Sequence, residues 1–176
     1  MPMFNGLNTD CLGKAVETIK ADWKQGKSVW KATAKWKDGF AVHTESRGFK
    51  FKVDEPGMLC GTDTAANPVE MVVQAYGSCL VIGFVMNATV RGIKVESLEI
   101  ELEGEIDLPG FLGLEAPEEL GMDSLPGYKN IKTVLRVKAD ADEAALQALL
   151  KDVTRTSPVG VTLSRPVALE AELEVL

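Results

Sequence analysis

Apolar and polar positions along the chain change period several times, and each change marks an element. Leu12, Ala15, Ile19 and Trp23 recur at the helical spacing. They predict an amphipathic helix over 9–25, with Thr9 or Asp10 to cap its start and Gly26 to end it. From residue 28 the period drops to two. Trp30, Ala32, Ala34 and Trp36 fall on one face of a strand over 28–36, with Lys31 and Lys35 on the other. Asp38-Gly39 is a hairpin turn signal. A second strand follows over 40–46. After Arg47-Gly48 comes a third, in which Phe49, Phe51 and Val53 alternate with Lys50 and Lys52. The pattern is a three-stranded meander with one wet face.

Residues 56–66 read as loop. Asn67-Pro68 then opens a helix, with Asn67 as the cap, Pro68 at the first helical position and Glu70 at the reciprocal position of a capping box. This helix should run to about Arg91-Gly92. It is apolar nearly all round, which predicts burial on most sides, against a sheet or a subunit interface. Three more strands are expected over 94–107, 131–138 and 167–175. The first turns Glu99, Glu101 and Glu103 outward, the second Lys132, Arg136 and Lys138, and the third Glu170, Glu172 and Glu174. Opposite charges on neighbouring strands attract, so the basic strand belongs between the two acidic ones. A Pro/Gly-rich excursion over 108–128 separates the first two strands. A helix over 143–154 follows the second, and Ser157-Pro158 restarts a short one to about Ser164. Meander, long helix, strand pair, helices and strand make an α+β fold, not a doubly wound sheet.

Composition narrows the function. The chain has 176 residues, 45% of them hydrophobic, enough for one domain or a compact pair of subdomains. Its most apolar run, 71–86, is broken by Gln74, Tyr76 and Ser78, so it reads as a core helix and not a membrane span. The N-terminus has neither the basic nor the apolar region of a signal peptide, so a cytoplasmic protein is expected. A net charge of −7 argues against nucleic acid as a partner. Three cysteines are no disulfide framework, and with one histidine and no CxxC a metal site is not expected. The histidine, His43, falls within a strand pattern and reads as structural. No GxGxxG or P-loop is present, so neither nucleotide nor other cofactor is implied.

Cys79 is the candidate reactive group. It lies 12 positions past Asn67, about 18 Å along the helix axis, beyond the reach of the helix N-terminus. Activation would have to come from another element. Its one-turn neighbours Ala75 and Gly83 are small and leave room near the sulfur. The competing reading is an inert thiol packed as a small hydrophobe.

The stretch VDEPGMLCGTDTAANPVEMVVQAYGSCL resembles the first signature of the OsmC/Ohr family, and SPVGVTLSRPV resembles its second. The resemblance covers most of 28–176, leaving 1–27 as an N-terminal helical extension to an OsmC-like domain. It implies antiparallel sheets wrapped around long central helices in an intertwined homodimer. It also implies reduction of hydroperoxides, as part of an oxidative stress response, by a cysteine at the position of Cys79. A second cysteine at the later signature would resolve the sulfenic acid to a disulfide, with an Arg and a Glu stabilising the thiolate.

This chain departs from that pattern in three places. Ser157 stands at the second-cysteine position, and a hydroxyl forms no disulfide. Glu70 lies one residue after the family's activating Glu, a rotation of about 100° round the helix. Arg47 is the nearest early arginine, on the second hairpin and not the first. Two readings follow: a one-cysteine thiol peroxidase using an external thiol, or a non-enzymatic dimer holding an apolar small molecule near Cys79. Cys60 could resolve Cys79 only if its loop doubled back along the helix.

Overall fold

Asn5-Gly6 closes a small hairpin at the N-terminus, which the apolar pattern does not announce. In the computed structural model, which describes residues 3–121 and 125–176, β1 (Met3–Phe4) pairs with β2 (Leu7–Asn8) across that turn. Residues 1–2 of the expected extension and 122–124 of the expected excursion lie outside the described residues. Helix α1 (Thr9–Ala21) is capped by the Asn8 side chain, not by Thr9 or Asp10. It stops short of residue 25 because Asp22 is extended and turns its carboxylate onto the Lys24 amide, starting a 3-10 turn over Trp23–Gly26. The extension is therefore a hairpin, a helix and a turn, and not helix alone. The Asn5 carboxamide ties it to the body through Thr89 Oγ1 (3.2 Å), Ile93 O (2.8 Å) and the Val95 amide (3.0 Å).

The meander forms as expected, in the order β3 (Thr33–Asp38), β4 (Ala41–Ser46) and β5 (Phe49–Val53). Its first strand begins at Thr33, five residues later than the alternation from residue 28 predicts. The turns sit at Gly39 and at Arg47-Gly48, whose positive φ values of 53° and 87° suit a two-residue hairpin. After β5 the loop winds round the buried Asp54. Its carboxylate accepts from the Glu55, Thr62 and Thr64 amides and from both threonine hydroxyls.

Helix α2 (Pro68–Val90) carries the expected capping box: the Glu70 amide donates to Asn67 at 2.9 Å and the Glu70 carboxylate accepts from the Asn67 amide at 2.8 Å. By length and composition alone it could cross a membrane. Instead it packs on β6 (Val95–Ile106) and α3 (Glu143–Thr156). Leu80, Phe84, Ala88, Leu149 and Val153 form the core, walled by Leu98, Ile100, Leu135 and Val137 of the sheet that β6 makes with β7 (Tyr128–Ala139). The chain itself supplies part of the expected burial. Within the chain α2 is covered on one side only, and Ile82 and Val90 are 69% and 70% exposed.

The basic strand meets one acidic strand, not two. Glu99 lies opposite Arg136 and Glu103 opposite Lys132, and Arg136 also bonds Glu101 at 2.7 Å. The expected third strand does not form: 166–176 makes no ladder, and Leu169 and Leu173 are 92% and 90% exposed. Its apolar row finds no second layer within the chain, and exposed charge pairs alone are too weak to dock it. Helix α4 (Pro158–Leu163) restarts at Ser157 as expected.

Candidate functional site

Two glycines bring three helices together around one thiol. A Cβ on Gly83 would lie 3.1 Å from Val153, so α3 approaches α2 closely there. A Cβ on Gly160 would lie 2.8 Å from the Tyr76 ring, which lets α4 sit against α2 one turn earlier. Cys79 lies between these contacts, half-buried, and the junction of α3 and α4 points Ser157 at it.

Ser157 Oγ lies 3.1 Å from Cys79 Sγ and donates to it. The same oxygen accepts from the Gly160 amide at 3.1 Å, as the N-cap of α4. Ser157 is only 3% exposed. Beside the pair is a cavity of about 480 Å³ walled by Ile82, Met86, Val153 and Pro158. Its polar lining residues are Ser78, Asn87, Thr156 and Ser157, and among the described residues no charged side chain lines it. Asn87 and Thr156 turn their donors onto the carbonyls of Gly83 and Asp152. The site offers a nucleophilic sulfur, one fixed hydroxyl donor and apolar room for an uncharged molecule.

Of the predicted site residues, the structure brings Cys79 and Ser157 together and leaves the other two elsewhere. Glu70 is spent on the capping box, nine positions before Cys79, about 13 Å along the axis. It raises the Tyr128 phenol above its ordinary value, after burial as the larger cause, while Tyr128 donates to Val69 O at 2.8 Å. Arg47 lies in its hairpin turn with the guanidinium 5.1 Å from the Trp30 ring centre and 5.6 Å from that of Phe49. Neither Glu70 nor Arg47 lines the Cys79 cavity. Cys11 and Cys60 are exposed free thiols, and Cys60 sits in a left-handed turn of the Asp54 loop, outside that cavity. His43 is a strand residue, paired across the sheet with Lys35 and Lys52. Among the described residues no group of three His, Cys, Asp or Glu side chains could hold a metal ion.

Sequence reading missed the two close approaches. Gly83 was legible as a small residue beside Cys79 and Gly160 was not, and only the packing shows which helix each admits.

Comparison with known proteins bears on the whole arrangement. An OsmC-like protein from Mycoplasma pneumoniae aligns with 78% of this chain and 89% of its own, at TM-score 0.65 and 15% identity. An organic hydroperoxide resistance protein OsmC from Legionella pneumophila aligns at TM-score 0.51 and 20% identity, over 77% and 89%. One from Elizabethkingia anophelis, also named an organic hydroperoxide resistance protein, aligns at 0.53 and 19%, over 77% and 87%. At such identities these likenesses carry the fold alone. No curated protein sequence matches the chain. The family described as OsmC-like protein matches residues 61–172, from the Asp54 loop through the central helix and the Ser157 junction into the C-terminal segment, and on that match the chain belongs to the OsmC-like family.

Proposed function

We propose that the protein reduces organic hydroperoxides through Cys79, with an external thiol as reductant. The observation that carries this reading is the Cys79–Ser157 pair at 3.1 Å beside an apolar cavity. The thiolate attacks the outer peroxide oxygen, the O–O bond breaks, and the alkoxide leaves as the alcohol after taking a proton. Cys79 becomes a sulfenic acid. A first external thiol attacks that sulfur and expels water. A second attacks the mixed disulfide, returning Cys79 as a thiolate and releasing the oxidised reductant. The balance is one hydroperoxide and two thiols to one alcohol, one water and one disulfide. Ser157 makes the external reductant necessary, because it offers no second sulfur.

The working unit of this reading is a homodimer. Ala75, Ser78, Ile82, Met86 and Val90 recur along the side of α2 that the chain leaves exposed, and the cavity opens among them. A second copy covering this stripe would close the site and exclude water from the thiolate.

Peroxide consumption with a dithiol donor is expected, and Cys79→Ser is expected to abolish it. Mass spectrometry after a stoichiometric hydroperoxide pulse should find oxygen on Cys79. A Cys79 that stays a free thiol through long exposure in folded protein would overturn the reading. The second reading, a dimer that binds an apolar small molecule, would then apply, favoured by a cavity without charged lining.

A further inference from the structure

The hydrogen bonds around Ser157 run in one direction. The Gly160 N–H enters Ser157 Oγ, which commits one lone pair of that oxygen and leaves its single hydrogen for Cys79 Sγ. A hydroxyl polarised by an incoming hydrogen bond is a stronger donor in turn. Among the described residues no other titrating group lines the cavity. On the packed helix α3, Asp152 is engaged with Arg91 and with Arg155. The guanidinium and carboxylate expected from the family resemblance, Arg47 and Glu70, lie outside the cavity.

We infer that Ser157 is the positioning residue of Cys79: its hydroxyl, fixed by the cap of α4, holds the sulfur beside the cavity where no charged side chain reaches it. This rests on the thiol reading above. A cysteine at 157 would be a weaker donor, since S–H donates poorly. The serine thus exchanges an internal resolving thiol for a fixed donor to the one that reacts.

The test reads the sulfur without peroxide. In the full chain with Cys11→Ala and Cys60→Ala, iodoacetamide alkylation of Cys79 is followed by mass spectrometry across pH. Ser157→Ala should slow the alkylation about tenfold across the profile. Ser157→Gly removes the hydroxyl but is well tolerated at a helix cap, so it separates the two roles. It should slow the alkylation as far as Ser157→Ala does, with the urea midpoint close to that of the parent. If Ser157→Gly keeps the parental profile, Ser157 is a cap only and the inference fails. That failure is distinct from failure of the peroxidase reading, which concerns turnover: a protein inactive on peroxide can still show the slowing, and an active one can lack it.

Discussion

The two larger sheets share one sequence pattern and have opposite surroundings. In β6 and β7 the inward rows, Leu98 and Ile100 with Leu135 and Val137, pack on α2 and help enclose the core. In the meander the corresponding row of Trp36, Phe49 and Phe51 is 71%, 61% and 56% exposed. Alternation therefore specifies a strand with a dry face and a wet one, but does not say what dries it. For β6 and β7 the cover comes from the same chain, through a helix only a turn away in sequence. For the meander the described residues leave most of this row uncovered, and we propose that the second copy of the dimer also supplies the cover here.

The strongest way to test the contrast is from the covered side. Phe84 is fully buried, and Phe84→Ala should cost about 3–5 kcal/mol, read as a lower urea midpoint at unchanged slope. On the uncovered side, Phe51→Glu should leave a single chain folded but weaken the proposed dimer by about 2 kcal/mol, roughly thirtyfold in Kd. Sedimentation across protein concentration measures this, and an unchanged association would break the contrast.

Charge sharpens it further. Changing Lys132, Arg136 and Lys138 together to Glu sets like charges against β6, where Arg136 and Lys138 now pair with Glu99, Glu101 and Glu96. Urea unfolding should show a modest lowering of the midpoint for these exposed pairs. A larger loss would mean that the acidic C-terminal segment also lies beside β7 in the assembled protein.

The smallest effect concerns the Asp54 loop, where the meander meets α2. The Thr62 hydroxyl first, then the Thr64 and Glu55 amides, hold the Asp54 carboxyl far below the ordinary carboxylate range. A group depressed on folding stabilises above its unfolded pKa and loses that contribution as pH falls toward the folded value. The difference in urea midpoint between the parent and Asp54→Asn should be full above about pH 4 and shrink as pH is taken toward 2. A difference independent of pH would show that the carboxylate's charge is not what holds the loop.

Much of this was legible because it is local. The capping box at Asn67, the turns at Asp38-Gly39 and Arg47-Gly48, and the restart at Ser157-Pro158 each depend on residues within a few positions of one another. The Asn5-Gly6 hairpin is just as local, but its two-residue strands are too short to show a period. The failures elsewhere are of another kind. Residues 167–175 alternate as a strand should, yet a strand exists only with a neighbour, and no local pattern names one. The fully apolar α2 promised burial without saying by which chain. At the site, Cys79 and Ser157 were each visible as candidates, but the bond that joins them spans 78 residues and depends on packing at Gly83 and Gly160.

The Asn5 carboxamide has a consequence for the order in which the chain is made. Its partners Thr89, Ile93 and Val95 lie 84 to 90 residues downstream. At translation speeds of about 5–20 residues per second, the N-terminal hairpin leaves the ribosome roughly 4–18 seconds before the last of them. For that interval the Asn5 carboxamide lacks these partners, and the hairpin is fastened to the body only after the whole of α2 has been made.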